Sequence, residues 1–326
     1  MERLGATLDM QYKKKEINWP LLVLVGVLLL LSFFGYRIGR GFNGTSQATP
    51  AAPAGNYFAI VRVAGTIQNT SADFATSVAY NHNATINYIN QLAQDPSNKG
   101  IFLDLDTPGG TVYETDELYL ALLAYTEQTG RPIWAYMNHQ ACSGGYYAAM
   151  AAEHVMANRN TTTGSIGVII SINDYSALYD TLGIHTDYIV SGPNKAMGAA
   201  DTPLTEEQRA IYQSIVDESY AQFTDIVSTG RDMALETLLP LADGRIYTAA
   251  QALQAGLIDE ITTREEALAA FEEHTGAGAY YRSFTQYSFL DRLFAQVADI
   301  TPKSDAEVIA ELLANAQDGT AFYLMP

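Results

Sequence analysis

The chain has 326 residues, of which 48% are hydrophobic and 17% charged, so it carries enough apolar material for one or two folded domains and is not a disordered protein. Its net charge is −18, and residues 1–40 hold six basic and three acidic side chains, which leaves the rest of the chain near −21. A body this acidic argues against nucleic acid as a partner. Cys142 is the single cysteine, which excludes an intrachain disulfide.

Near the start of the chain, residues 17–36 form a run of 20 uncharged, mostly apolar residues. As a helix this run spans roughly the 30 Å hydrocarbon core of a bilayer, so it predicts a single transmembrane anchor. Four basic side chains precede it, and the positive-inside rule then puts residues 1–16 in the cytoplasm and the body outside the cell membrane. A cleaved signal peptide is the alternative, but its small-residue cleavage sites would lie beyond Arg37 and Arg40.

After a small, polar, proline-containing linker at 37–56, runs typical of strands alternate with helical patterns. This alternation predicts an α/β domain with a largely parallel sheet over residues 57–273. Residues 274–326 are predicted to form a C-terminal helical extension with two amphipathic helices. The predicted strands are 57–63, 101–105, 133–137, 154–157, 166–172, 185–190 and a short one near 256–261. The predicted helices are 84–92, 113–127, 175–182, 205–227, a short one from 248, and 264–273.

Several of these strand-like runs end in polar or glycine-rich turns. The turns read "DTPGG" at 106–110, "QACSGGYYAA" at 140–149, "TTTGSIGVII" at 161–170 and "VSGPNKAMGAA" at 190–200. In open parallel sheets the ligand site forms at the carboxyl ends of the strands. We therefore expect these four turns to come together at one edge of the sheet.

Ser143 is the candidate nucleophile among these turns. It precedes two glycines and an Ala-rich apolar run that fits a short helix, and a helix N-terminus favours the negative charge that develops when a hydroxyl attacks a carbonyl. Serine is also an ordinary N-cap and "SGG" an ordinary turn, and the motif taken alone favours the cap. The thiol of the neighbouring Cys142 is a second, weaker candidate, because a small buried cysteine usually serves packing.

A serine nucleophile needs a base within hydrogen-bond reach. His139, His154 and His185 are scattered and lack a glycine-rich turn with an acidic partner, whereas Lys195 lies in a segment with no other charge before Asp201. Partial dehydration lowers the pKa of a lysine below its ordinary value of about 10.4. A lysine in such a place could give up its proton and act as the base. The ordinary alternative is a solvated loop lysine.

Taken together and in order, four motifs resemble the signal peptide peptidase A (SppA) family of membrane-anchored serine proteases. They are "DTPGG", "ACSGGYYAAMAAEHVMANRNTTTGSIGVI", "IVSGPNKAMG" and "DGRIYTAAQALQAGLIDEI", and the resemblance covers residues 57–261. It implies a crotonase/ClpP-like ββα fold and a Ser/Lys dyad. It also implies ring-like or dome-like homo-oligomers in which the dyad is completed between neighbouring subunits.

Carried to the matching positions, the resemblance gives each site residue a role. Ser143 is then the nucleophile and Lys195 the general base, while Ser165 orients the lysine. The backbone N–H groups of Gly110 and Gly144 form the oxyanion hole. These roles agree with what the residues themselves indicate, because two glycine-rich turns flank a helix N-terminus.

At four positions the chain departs from the family pattern. Pro193 and Ala196 stand where a second lysine and an acidic residue are frequent, Thr107 where a serine is frequent, and Cys142 where an alanine is frequent. None of these changes removes a catalytic atom. They can alter the shape and charge of the loop that carries the lysine.

The sequence thus predicts a membrane-anchored serine endopeptidase that cleaves released signal peptides or other unfolded apolar peptides. The predicted partners are peptide substrates, the membrane and further copies of the chain; no cofactor, metal or nucleic acid is expected. A catalytically silent scaffold or peptide-binding oligomer on the same fold is the alternative. A thioester-active enzyme of crotonase type is a third option, although its acidic catalytic pair is not apparent in the sequence.

Overall fold

The computed structural model describes residues 55–69, 80–281 and 322–324. The predicted transmembrane helix at 17–36, the predicted linker up to residue 54 and most of the predicted extension beyond residue 281 lie outside the described residues. Among the residues that are described, no helix is both long and apolar enough to cross a membrane.

Ten strands are present in the described part of the chain. They are β1 (Tyr57–Ala64), β2 (Asn98–Thr107), β3 (Gly109–Thr111), β4 (Ile133–Cys142), β5 (His154–Ala157), β6 (Thr162–Gly164), β7 (Ile246–Thr248), β8 (Glu260–Ile261), β9 (Gly278–Tyr281) and β10 (Phe322–Leu324). Eight of them form one sheet in the order β7-β6-β4-β2-β1-β9, with β5 joined to β4 and β8. All pairings in this sheet are parallel except β6–β7, so the predicted α/β architecture with a largely parallel sheet is confirmed. The other two strands, β3 and β10, form a separate antiparallel pair.

Helices connect most of these strands. They are α1 (His82–Gln94), α2 (Val112–Thr129), α3 (Gly144–Ala149), α4 (Ser176–Leu182), α5 (Glu206–Gly230), α6 (Leu235–Leu238), α7 (Ala249–Gln254) and α8 (Arg264–Thr275), with a 3₁₀ turn at Leu239–Leu241. The predicted capping box of α5 is present, because the Thr205 hydroxyl accepts a hydrogen bond from the Gln208 N–H and the Gln208 side-chain oxygen accepts one from the Thr205 N–H. Residues 278–281, which the sequence assigned to the extension, form the edge strand β9 beside β1.

Two predicted strands are wrong. Neither 166–172 nor 185–190 joins the sheet, although both are rich in apolar residues. The side chains of 185–190 are exposed, and Ile189 is fully so. An apolar run becomes a buried strand only where sheet neighbours cover it, and no described strand pairs with 185–190.

The sheet is packed on both faces. The larger apolar cluster contains β1 side chains such as Val61 and covers the side on which α1, α2 and α3 lie. The smaller cluster joins Phe58, Phe102 and Tyr136 of the sheet to Phe271 of α8. Successive side chains of β1 and β2 therefore point to opposite faces of the sheet, and both faces are buried.

A buried charge lies on the α8 side of the sheet. Asp104 of β2 is fully buried, and its carboxylate accepts hydrogen bonds from the Arg264 guanidinium at 2.9 and 3.2 Å. The Asn138 side chain donates a further hydrogen bond to the same carboxylate. Because an unpaired carboxylate is costly in an apolar interior, this pair fixes the start of α8 against β2.

Replacing Arg264 with Met should lower the free energy of unfolding by about 2–3 kcal/mol, because the buried Asp104 carboxylate loses its cation. The matched control is Arg245→Met, which removes the partner of Asp243 at the surface and should cost much less stability, because water and salt screen an exposed ion pair. Urea unfolding followed by circular dichroism measures both. Equal losses in the two variants would show that the Asp104 pair does not contribute as described.

Candidate active site

Ser143 lies on the turn between β4 and α3, and its backbone adopts an unusual conformation. Its φ of 51° and ψ of −114° are outside the regions that non-glycine residues favour. Two hydrogen bonds hold it there: the Ser143 N–H donates to the Gly164 carbonyl at 2.7 Å, and the Ser143 carbonyl accepts from the Tyr147 N–H at 2.9 Å. Strained backbone of this kind costs about 1–3 kcal/mol and is concentrated at functional sites.

The hydroxyl of Ser143 is buried and has no hydrogen-bond partner among the residues that the structure describes. It does not cap α3, although Ser143 occupies the N-cap position. The ordinary capping interpretation, which the motif alone favoured, therefore does not describe this residue. An unpaired buried hydroxyl costs about 1–3 kcal/mol, so its retention calls for a role that a cap would not fill.

Two consecutive tyrosines fix the helix that follows Ser143. Tyr146 donates a hydrogen bond to the Leu257 carbonyl at 2.7 Å, and Tyr147 donates one to Asp116 at 2.6 Å. Gln222 of α5 in turn donates to the Tyr147 hydroxyl at 2.7 Å. The short α3 is thus attached to α2, to α5 and to the segment before β8, which keeps the Ser143 turn in place.

Gly110 and Gly144 meet beside Ser143 with no room for side chains. A Cβ added at Gly110 would lie 1.8 Å from the Ile67 carbonyl oxygen. A Cβ added at Gly144 would lie 2.6 Å from the Thr115 hydroxyl and 3.2 Å from the Gly110 nitrogen. The backbones of the two predicted oxyanion-hole residues are therefore neighbours, as an oxyanion hole requires.

Thr115 is a site residue that the sequence did not reveal. It belongs to α2, is fully buried, and its hydroxyl also has no hydrogen-bond partner within residues 55–69, 80–281 and 322–324. A threonine in the first turns of an ordinary helix carries no sequence signal of its own. Only the close approach of α2 to Gly144 shows that Thr115 lies at the site.

Ser165 lies next to Ser143 across the sheet. Strands β4 and β6 run parallel with Cys142 paired to Gly164, so the residue after each strand reaches the same sheet edge. Ser165 is nearly buried and has a φ of 52°, and its N–H donates to the Arg245 carbonyl at 2.8 Å. The structure thus brings Ser143, Ser165, Gly110 and Gly144 together.

Lys195 is not part of this cluster within one chain. It is exposed, lies in a series of turns between α4 and α5, and makes no side-chain hydrogen bond or ion pair with another described residue. None of the histidines considered from the sequence bonds Ser143 either, because its hydroxyl has no partner. The cavity beside this exposed segment, lined by Ile172, Pro203 and Tyr212 among others, contains none of the predicted site residues.

The arrangement provides a hydroxyl and two clustered backbone donors, but no base bonds the hydroxyl within the described part of the chain. Among the residues described, no three His, Cys, Asp or Glu side chains are grouped to hold a metal ion. A buried hydroxyl beside paired N–H groups is the arrangement that acyl transfer uses, since attack on a carbonyl creates an oxyanion at that position.

Comparison with known proteins gives consistent family matches. The sequence pattern of peptidase family S49 matches residues 126–278. A protein of Enterococcus faecium named as a signal peptide peptidase SppA is 34% identical over 234 residues, covering 71% of this chain and 68% of its own. Protease 4 of Haemophilus influenzae is 30% identical over 218 residues, covering 67% of this chain and 35% of its own.

The extent of these matches differs between relatives. A protease of Synechocystis sp. is 40% identical over 167 residues, and the matched part amounts to 51% of this chain and 60% of the relative. The chain thus spans less than two thirds of several relatives and just over two thirds of the Enterococcus protein. The matched region includes the Ser143 turn. The chain belongs to peptidase family S49, the family of the signal peptide peptidase SppA.

Proposed function

We propose that this protein is a serine endopeptidase that cleaves released signal peptides or other unfolded apolar peptides through an acyl-enzyme on Ser143. The observation that carries the proposal is the buried, unpaired Ser143 hydroxyl on a strained turn beside the backbones of Gly110 and Gly144. Membership of family S49 and a relative named signal peptide peptidase support the substrate class. The α/β sheet suits the crotonase/ClpP-like fold that we infer for the domain.

In the proposed mechanism, the Ser143 oxygen attacks the scissile carbonyl carbon and its proton passes to the Lys195 amine. The N–H groups of Gly110 and Gly144 stabilise the oxyanion, and each such donor is worth roughly 3–4 kcal/mol of transition-state stabilisation. Lys195 then protonates the leaving amine, and the acyl-enzyme forms. A water that gives its proton to the same lysine hydrolyses the ester and frees Ser143.

We infer that a neighbouring copy of the chain supplies Lys195 to each Ser143. The chain around Lys195 exposes a run of large apolar side chains, which a monomer rarely leaves uncovered. They are Leu178, Leu182, Ile184, Tyr188, Ile189 and Val190. A homo-oligomer would cover them and could bring the lysine, oriented by Ser165, to a hydroxyl that no described residue of its own chain bonds.

The proposal includes a membrane anchor formed by residues 17–36, with the peptidase domain on the extracytoplasmic side. The length of this apolar run and the basic residues before it support both points. An anchored peptidase would meet apolar peptides where they leave the membrane.

The thiol of Cys142 is a poorer nucleophile than the Ser143 hydroxyl. Burial raises the pKa of Cys142 to about 12, and its sulfur contacts the Thr162 carbonyl at 3.5 Å. The thiolate is the reactive form of cysteine, so at neutral pH this side chain stays a neutral thiol. Cys142 therefore fits a packing role behind the turn.

Replacing Ser143 with Ala or Lys195 with Met should each lower kcat/KM for an unfolded fluorogenic peptide by roughly a thousandfold or more, because either change removes one half of the dyad. The matched control is Lys99→Met, since the Lys99 amine bonds the Pro96 carbonyl away from the site. Near wild-type rates in either dyad variant would contradict the mechanism, whereas absence of cleavage by the wild type would favour the catalytically silent alternative.

Co-expression of the Ser143→Ala and Lys195→Met chains tests where the lysine comes from. If each site joins a serine and a lysine from different chains, random assembly restores about a quarter of the wild-type activity, because one interface in four combines both intact residues. A dyad within one chain predicts no recovery. The measurement is the rate of the co-purified mixture against each variant alone.

Gly144→Ala should lower kcat by about a hundredfold while leaving the fold intact, because its Cβ would press on Thr115 and on the Gly110 donor. A Thr115→Ala, Gly144→Ala double variant removes the side chain on which the new Cβ presses. Its kcat should be about tenfold higher than that of Gly144→Ala alone, because the effects of substitutions at contacting residues are not additive. Gly278→Ala is the control, because a Cβ there meets open space. No difference between the single and double variants would show that Thr115 does not constrain Gly144.

Native protein should resist alkylation by iodoacetamide at pH 8, because the raised pKa keeps Cys142 protonated far above that pH. Unfolding in urea should restore ordinary reactivity, since an exposed thiol titrates near a pKa of about 8.5. Cys142→Ala should keep most of the peptidase activity. Rapid alkylation of the native protein with loss of activity would instead favour a cysteine nucleophile.

A further inference from the structure

Thr115 differs from the other buried threonines of the described residues in what its hydroxyl does. Six threonines are buried in this part of the chain, and five of them donate a side-chain hydrogen bond to a backbone carbonyl. The five are Thr85, Thr107, Thr161, Thr163 and Thr224. The hydroxyl of Thr115 is the exception, because it bonds no described residue.

The position of Thr115 in its helix does not explain this difference. Thr85 and Thr115 both lie four residues after the N-cap of their helix, which is Asn81 in α1 and Thr111 in α2. The Thr85 hydroxyl donates to the Asn81 carbonyl at 2.9 Å, the bond that a helical threonine ordinarily makes one turn back. Thr115 makes no corresponding bond to Thr111 or to any other described residue. Because an unpaired buried hydroxyl is costly, its retention calls for a partner that arrives with the substrate.

The Thr115 hydroxyl lies beside the two proposed oxyanion donors. A Cβ on Gly144 would lie 2.6 Å from the Thr115 Oγ1 and 3.2 Å from the Gly110 nitrogen, so both atoms border the same α-carbon. Gly144 directly follows Ser143, whose hydroxyl is likewise buried and bonds no described residue. The nucleophile, the two N–H donors and the Thr115 hydroxyl are therefore neighbours.

We propose that the Thr115 hydroxyl is a third hydrogen-bond donor to the oxyanion, beside the N–H groups of Gly110 and Gly144. The inference rests on the proposed function, because it requires acyl transfer at Ser143. When the Ser143 oxygen bonds to the scissile carbonyl carbon, the electron pair of the C=O π bond moves onto the carbonyl oxygen and the serine proton passes to Lys195. The Thr115 O–H then turns about its Cβ–Oγ1 bond and donates to the new anion.

A donor that bonds no described residue in the resting enzyme suits this role. A hydroxyl held by a carbonyl of its own helix would have to break that bond before it could serve the oxyanion. The Thr115 hydroxyl instead gains its partner as negative charge develops, so the interaction stabilises the transition state more than the bound substrate. Loss of this hydroxyl should therefore lower kcat and leave KM unchanged.

This role also accounts for the expected behaviour of Gly144→Ala. The added Cβ would displace the Thr115 hydroxyl, so that variant already lacks the third donor. The double variant with Thr115→Ala should then have the kcat of Thr115→Ala alone, about tenfold below the wild type.

A kinetic experiment isolates the donor, because valine has the shape of threonine without the hydroxyl. Thr115→Val should lower kcat for a fluorogenic peptide about tenfold, whereas Thr115→Ser, which keeps the hydroxyl, should stay within about twofold of the wild type. Thr126→Val is the matched control, since it removes another buried α2 hydroxyl that bonds no described residue, about three turns further along the helix. Thr115→Ala gives the same test if the valine variant does not fold. An unchanged kcat without the hydroxyl would overturn the proposal.

A binding experiment separates the oxyanion from packing. The probes are a fluorescein-labelled peptide aldehyde, to which Ser143 adds to form an oxyanion, and the matching peptide alcohol, which binds without one. Fluorescence anisotropy should show about tenfold weaker binding of the aldehyde to Thr115→Val than to the wild type, with unchanged binding of the alcohol. Equal weakening of both probes would show that Thr115 only packs against the site and would overturn the inference.

The same probes distinguish failure of this inference from failure of the proposed function. If Thr115→Val binds the aldehyde like the wild type while Ser143→Ala loses tight binding, the proposed function holds and only the role of Thr115 is wrong. If Ser143→Ala binds the aldehyde as tightly as the wild type, the proposed function fails and the role of Thr115 fails with it.

Discussion

The contact between the backbone of β3 and the turn that carries Ser143 is the constraint on which the site depends. Gly110 and Gly144 approach so closely that a Cβ on either would press on its neighbours, and Ser143 holds a strained conformation supported by the ends of β4 and β6. The sheet, the two tyrosines of α3 and the pairing of Ile67 with β3 all act on this contact. Tight packing can hold a buried hydroxyl in place without a hydrogen-bond partner. In a loosely packed interior the same side chain would rotate until it found one.

Much of this arrangement could be predicted from the sequence, because it depends on local patterns. Apolar runs gave β1, β2 and β4, and the Thr205 capping box gave the start of α5. The turns that carry Gly110, Ser143 and Ser165 lie together, as strand ends of a parallel sheet should. The dyad assignment rested on the residues around Ser143 and Lys195 together with the family resemblance, and it stays a prediction.

Other features could not be predicted, because they arise from tertiary packing. The segments 166–172 and 185–190 carry apolar residues typical of strands, yet neither pairs with the sheet; Ile166 is buried in the core, whereas 185–190 stay exposed among the described residues. Thr115 is an ordinary helix residue until α2 meets Gly144, and the pairing of β10 with β3 joins residues more than 200 positions apart. The exposed position of Lys195 could not be predicted from local sequence either. In our proposal the surface that buries this lysine belongs to another copy of the chain.

The distance between the Lys195 amine nitrogen and the Ser143 hydroxyl oxygen in the assembled protein tests the central claim most directly. It can be measured by cryo-electron microscopy of the full chain in detergent. Our account predicts a separation of about 3 Å, with the lysine contributed by a neighbouring copy. A lysine that points into solvent in every copy, far from any Ser143, would contradict the proposed dyad.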